Sequence, residues 1–202
     1  MGREYVDLHV TKFDPRTAET LVALGFKHVC TTDFKKNMSV SSFHELSVYG
    51  KAVVEARSRS ELLQRLKAVD RKLLIGVKPL TREALMVAAR DRRVGTVMAH
   101  GEVAELDRHV LQVFDNSLEI TVSELAEAFK DLRKWRNLQK LCKTAARFQI
   151  PLIISSGAGG ADELMPPKQL ACVLSAMKEV QTPDLDAVST TPLKLVREKL
   201  ER

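Results

Sequence analysis

Short runs rich in Val and Ile alternate with longer helical patterns along the chain, and no other feature limits the fold as much. Seven runs read as strands: Tyr5–Val10, His28–Thr32, Lys51–Ala56, Lys72–Val77, Gly95–Ala99, Leu118–Thr121 and Pro151–Ser156. Leu185–Val188 reads as a weaker eighth. Helical patterns fill the intervals. Thr17–Leu24 is closed by Gly25, Ser60 caps a helix through Val69, and Thr81 to Ala84 forms a cap and first turn. A long helix is expected over Ser123–Gln149, with others at Leu170–Lys178 and Pro192–Leu200. Asn37–Tyr49 is the least regular stretch and is read as a loop. Runs that are apolar throughout suit strands buried on both faces, as in a parallel sheet. About eight β and α units in 202 residues predict an α/β fold: one TIM-barrel-like (β/α) domain spanning residues 1–202, with seven or eight short parallel strands. A doubly wound open sheet is the alternative. No Gly/Ser linker, low-complexity tract or internal repeat marks a second domain.

Composition narrows the setting. The chain is 45% hydrophobic and 29% charged, ordinary for a globule. No apolar run approaches the ~20 residues that span a bilayer, and the first residues enter a strand without a charged-then-apolar leader, so no membrane association and an intracellular location are expected. Cys30, Cys142 and Cys172 are too few and too far apart for a disulfide framework or a zinc site, and are expected to be buried thiols. The net charge is +6, unevenly placed: residues 1–100 hold 18 Lys and Arg against 11 Asp and Glu, residues 101–202 hold 14 against 15. A one-sided basic excess suits phosphate-backbone binding, where each neutralised phosphate releases a counterion.

Three constellations carry chemistry. Asp7-Leu-His9-Val-Thr11 ends the first strand much as a His-x-His metal pair would, because residues at i and i+2 point to one side of a strand. Here the second position is Thr11. His28, His44, His100 and His109 lie elsewhere, only His100 just after a strand, and the nearest carboxylates, Asp33 and Glu55, are scattered. Neither a metal ligand set nor a catalytic triad emerges, and Asp7 and His9 read as strand-end polar residues satisfied by hydrogen bonds. The glycine-rich Gly157-Ala-Gly-Gly160 loop follows the seventh strand, where backbone N–H groups can face a phosphate, but it matches no nucleotide fingerprint. A strand-to-helix turn needing positive φ accounts for it better. The third constellation is basic: Lys35 and Lys36 after strand two, Lys78 and Arg82 around the end of strand four, and Arg90, Arg92 and Arg93 at the end of the following helix. Arg133, Arg136, Lys140, Lys143 and Arg147 recur at helical spacing, with Trp135, Leu138, Cys142 and Ala145 off the stripe. Two Tyr and one Trp give no stacking platform for single strands, so a folded RNA backbone fits this charge better.

The most specific stretches are Pro151 to Ala158 (Pro-Leu-Ile-Ile-Ser-Ser-Gly-Ala), Asp162 to Leu174 with its Glu-Leu and Pro-Pro-Lys, and Ala187 to Pro192 with its Ser-Thr-Thr-Pro. Together with Tyr5-Val-Asp-Leu8 they resemble the RNase P protein component 3 family, along nearly the whole chain and most closely in its C-terminal third. The resemblance implies a TIM-barrel-like fold related to PHP phosphoesterases but without their metal ligands, which agrees with Thr11 standing where a second His would. It implies no catalytic residue and no cofactor in this chain, the catalyst being an RNA that uses magnesium. It implies RNase P RNA, the small protein component 2 and other RNase P proteins as partners, with precursor tRNA met indirectly. Arg82, Arg90 and Lys168 fall where the family contacts RNA; Lys35, Lys36, Lys78, Arg93 and Arg136 complete the expected RNA-binding set. A cation such as Lys168 at a helix start opposes the helix dipole, and an RNA contact would explain it. The resemblance further implies cytoplasmic location for an archaeal-type chain, nuclear for a eukaryotic one. The alternatives are a PHP-type metal-dependent phosphoesterase built on Asp7 and His9, and a sugar-phosphate enzyme using the Gly157–Gly160 loop.

Overall fold

Among the described residues seven parallel strands pair strictly in chain order: β1 (Tyr5–Val10), β2 (Phe26–Thr31), β3 (Ser47–Ala56), β4 (Leu74–Pro79), β5 (Thr96–Met98), β6 (Ser117–Thr121) and β7 (Leu152–Ser155). The structure is a computed structural model that describes residues 2–34, 45–102 and 106–200. Beyond β7 the chain turns to meet β1. Val10 and Ala158 form a parallel bridge, Gly157 N–H donates to His9 O at 2.8 Å, and Thr11 N–H donates to Ala158 O at 2.8 Å. These bonds curl the sheet into a nearly closed barrel, the α/β fold expected from the sequence.

Among the described residues eight helices lie between and after the strands: α1 (Pro15–Ala23), α2 (Arg59–Ala68), α3 (Arg82–Ala88), α4 (Arg108–Val113), α5 (Val122–Phe129), α6 (Leu132–Arg147), α7 (Pro167–Lys178) and α8 (Thr190–Leu200). Side chains of Asp14, Ser58, Thr81, Asp107, Thr121 and Asp131 accept first-turn N–H groups and fix where six of them begin. Apolar helix residues such as Leu21, Leu62, Leu85, Leu138 and Leu174 pack on Val29, Val77, Val97, Ile120 and Ile154 of the strands. A second cluster joins Val6, Leu8, Cys30, Leu74 and Ile153 to Leu195 and Val196 of α8, which packs on β1, β4 and β7.

Several local expectations need correction. Leu185–Val188 is a 3-10 turn, not a strand. Asp184 and Asp186 carbonyls there accept from Ala187 and Ser189 N–H, and β7 reaches β1 directly through residues 157–158, leaving no gap for an eighth strand. The helix expected over 123–149 breaks at Lys130–Asp131, because Asp131 turns its carboxylate onto the N–H groups of Arg133 and Lys134 and starts a second helix. Ser58, not Ser60, caps α2, accepting from Glu61 N–H. Within the stretch read as a loop, Ser47–Tyr49 already belong to β3, pairing with His28 to Cys30; 37–44 lie outside the described residues. Cys30 and Cys142 are buried as expected, but Cys172 is exposed, one position off the buried Ala171 on α7.

The barrel interior is polar at its centre. Lys51 of β3 donates to both carboxylate oxygens of Glu119 of β6, at 2.7 and 2.6 Å, and both side chains have no solvent exposure. Strands three apart in the sheet order can meet only across the barrel. Thr96 and Ser155 hydroxyls each donate to Glu119 at 2.6 Å, so its oxygens accept four hydrogen bonds. Gly76 keeps the space Lys51 needs: a Cβ there would stand 3.0 Å from Lys51 Cε. Breaking a buried pair leaves an uncompensated charge, typically costing about 3–5 kcal/mol, whereas replacing both partners with apolar groups recovers much of that loss. Lys51→Met should therefore lower unfolding free energy in urea by about that amount, and Lys51→Met/Glu119→Leu by clearly less. A double variant as unstable as the sum of its singles would show that the pair is not coupled.

Candidate nucleic-acid interface and the barrel seam

The Asp7-x-His9-x-Thr11 strand end and the Ser155–Ala158 signature face one another across the junction of β1 and β7. Asp7 accepts Ser156 N–H at 3.2 Å and His9 N–H at 3.1 Å. Ser156 Oγ donates to His9 O at 3.3 Å and accepts from Ala158 N–H at 3.1 Å, while Thr11 Oγ1 donates to Ala158 O at 3.0 Å. The motif thus ties the barrel shut. Asp7 does satisfy its seam partners as the sequence suggested, yet His9 does not: its Nδ1 is buried without a hydrogen-bond partner among the described residues, 3.9 Å from Glu119 Oε1.

Nothing at this strand end fits a metal. The Asp7 carboxylate is committed to the seam, Thr11 is exposed and bonded to Ala158 O, and among the described residues no three His, Cys, Asp or Glu side chains gather around one point. His100 donates its Nε2–H to Pro79 O at 2.6 Å, and burial lowers its basicity, so it holds the chain after β5 as a neutral ring. The glycine loop is also spoken for. Gly157 is needed twice over: it holds φ +68°, and a Cβ there would collide with the Ser123 hydroxyl and stand 2.9 Å from Thr121 Cβ. Its N–H goes to His9 O, that of Ala158 to Ser156 Oγ, and that of Gly159 to Glu163 at 2.6 Å, leaving little for a phosphate.

The basic residues named from the sequence fall into two states. Lys78, at the end of β4, pairs with Glu124 at 3.4 Å, Arg82 at the start of α3 with Asp107 at 2.6 Å, and Arg93 beyond α3 with Asp91 at 2.7 Å. Arg90, Arg136 and Lys168 are exposed and form no ion pair with a described residue. Lys35 and Lys36 lie outside the described residues. Lys78, Arg82 and Lys168 sit at the end of the barrel where the strands finish, Arg90 and Arg93 at the end where they begin. The basic stripe of α6 faces solvent, opposite buried Leu138, Cys142 and Ala145, but Lys143 is paired with Glu179 at 2.5 Å and Arg147 lies over Phe148. The sequence reading missed Lys51 and Glu119. The available signal was a charge inside each of two strands, Glu119 alone in β6 and Lys51 in β3, where Glu55 is a second.

Burial, opposed only in part by its hydrogen bonds to Ser156 and His9, pushes the Asp7 carboxyl up to about 6. Burial and then the Lys51 ammonium push His9 down to about 4. Burial alone would raise Glu119, but Lys51, His9 and the Ser155 hydroxyl together outweigh it and hold that carboxyl below its ordinary range. A raised Asp7 makes the folded state lose stability as pH rises from 3.8 towards 6, and a lowered His9 makes it gain stability as pH rises from 4 to 6.5. Each shift is on the order of 3 kcal/mol and the two oppose one another. Melting temperature should therefore be nearly level with pH between 4 and 6 in the unaltered chain. It should climb with pH in Asp7→Asn and fall in His9→Gln; parallel profiles in the two variants would contradict these assignments.

No family model matches the chain. It is 28% identical over 123 residues to ribonuclease P protein component 3 of Archaeoglobus fulgidus, a match covering 58% of this chain and 61% of that protein, so it spans less than two thirds of the relative's length. In fold it is similar to a chain in a cryo-EM structure of archaeal ribonuclease P with mature tRNA, with a TM-score of 0.69 and 16% identity over 97% of this chain and 90% of that one. It also resembles A. niger ochratoxinase (TM-score 0.64, 8% identity, 98% and 72% covered) and a prolidase complexed with N-methylphosphonate-L-proline (TM-score 0.62, 11% identity, 98% and 75% covered). At such identities the structural likenesses establish the barrel fold alone, and they include hydrolases. In sequence, the chain resembles RNase P protein component 3.

Proposed function

We propose that this chain is a protein subunit of ribonuclease P, of the component 3 type, which binds and supports the catalytic RNA in maturing the 5′ ends of precursor tRNAs. The match to component 3 carries the reading, because it is a likeness in sequence and not in fold alone. The barrel interior is compatible with it: Asp7, Glu119, Thr96 and Ser155 bond one another or the backbone, and His9 Nδ1 is the buried side-chain atom left without a partner among the described residues. On this reading the chain contributes no catalytic residue and binds no cofactor of its own, and magnesium serves the RNA. Its partners are RNase P RNA, protein component 2 and the other protein subunits, with precursor tRNA met through the assembly. The RNA-facing cations are drawn from Lys35, Lys36, Lys78, Arg82, Arg90, Arg93, Arg136 and Lys168. Among the described residues no helix is long and apolar enough to cross a membrane, and the proposed setting is the cytoplasm of an archaeal-type cell or, in a eukaryote, the nucleus.

The test is precursor-tRNA cleavage by RNase P RNA and component 2 at moderate magnesium, with and without this chain. Cleavage should rise when the chain is added, and the chain alone should cleave neither precursor tRNA nor simple phosphate esters. An unchanged rate, or metal-dependent ester hydrolysis by the chain alone, would overturn the proposal.

A further inference from the structure

The excess positive charge is concentrated in one part of the molecule. Residues 57–93 hold eleven Lys and Arg against four Asp and Glu, an excess of seven where the whole chain carries +6. This segment runs from α2 through β4 and α3 to the turn before β5, and it folds so that several of its cations converge at the end of the barrel where the strands begin. A groove of about 780 Å³ opens there between the end of α2, the start of β4 and the end of α8. Lys67, Arg71, Arg92, Arg93 and Lys199 line it, against only Asp115 and Glu198, over a floor that includes Leu66 and Leu73. A second groove of about 320 Å³ adjoins it, shares Arg92 and adds Arg59 and Arg90, with Asp91 as its acid.

The pairing state of these cations sets them apart. At the opposite end Lys78 and Arg82 each face a carboxylate of the chain itself. In the grooves Asp91 is taken by Arg93, and Lys199 donates to Arg92 O at 2.6 Å. Arg59, Lys67, Arg71, Arg90 and Arg92 have no ion pair with a described residue. Like charges held side by side repel, and a chain that leaves them uncompensated is suited to an external polyanion whose bound counterions they displace. The planar guanidinium fork also matches phosphate oxygens better than a lysine does, and four of these five cations are Arg.

We infer that the paired grooves between α2, α3 and α8, centred on Arg92, are the principal phosphate-binding surface of this chain and seat the backbone of a folded RNA. This rests on the ribonuclease P reading and deepens it, moving the main contact away from the strand-finishing end that holds Lys78, Arg82 and Lys168. Five of its cations, Arg59, Lys67, Arg71, Arg92 and Lys199, stand outside the set drawn from the sequence.

The experiment measures binding of the full chain to RNase P RNA over a series of salt concentrations. It compares the unaltered chain, Arg59→Gln/Arg90→Gln/Arg92→Gln, and Lys12→Gln/Arg16→Gln/Lys130→Gln as a control losing the same charge from exposed positions elsewhere. The groove variant should bind at least tenfold more weakly and lose about two to three from the slope of log affinity against log salt, as for three lost phosphate contacts. The control should change by less than half as much, and Arg59→Lys/Arg90→Lys/Arg92→Lys should regain most of the slope. Equal effects of groove and control variants, or an unaltered groove variant, would overturn the inference while leaving the subunit reading in place. So would intact RNA binding with lost pairing to component 2, which would make the grooves a protein-docking surface. Failure of the unaltered chain to bind the RNA would instead remove the subunit reading itself.

Discussion

The architecture turns on one contact, the ion pair of Lys51 and Glu119 across the barrel. Neither side chain reaches solvent, so each depends on the other and on the hydroxyls of Thr96 and Ser155 to offset its lost hydration. The pair links β3 to β6, and Ser155 and Thr96 extend the link to β7 and β5. A seven-strand sheet that closes through the short seam between the end of β1 and residues 156–158 gains a second closure from within.

This gives a physical role to the residues that are most distinctive in sequence. Ser155 donates to Glu119, Ser156 holds Asp7 and His9, Gly157 turns the chain through positive φ, and Ala158 receives Thr11. Asp7, which invites a metal reading, is protonated more readily than an ordinary carboxyl because burial disfavours its charge. The same strand end that positions ligands in metal-dependent barrels is used here to fasten the first strand to the last. On the proposed reading function has moved to the outer surface, where charge that the chain does not neutralise is gathered between α2, α3 and α8.

Much of the fold is legible in the sequence because Val- and Ile-rich runs such as Leu152–Ser155 can be little other than buried strands. The boundaries are less so. Asp131 looks like any polar helix residue until its carboxylate is seen capping α6, and Leu185–Val188 has the apolar content of a strand but lies where β7 and β1 already meet. The interior pair was half-visible: Lys51 and Glu119 are charges inside strands, but β3 also carries Glu55, 68 residues separate the two partners, and only barrel closure brings them together. The basic surface was visible as composition only. That Arg82 is matched by Asp107 while Arg90 is left unmatched depends on how α3 and α4 pack, and no spacing along the chain encodes it.

The central claim is that the interior holds the barrel together while the surface does the work. The most direct measurement is precursor-tRNA cleavage by ribonuclease P reconstituted with the Lys51→Met/Glu119→Leu chain, at a temperature where circular dichroism shows that chain fully folded. The account predicts cleavage at the rate supported by the unaltered chain. Cleavage lost by a folded chain with an apolar interior would contradict it and return the chemistry to the barrel.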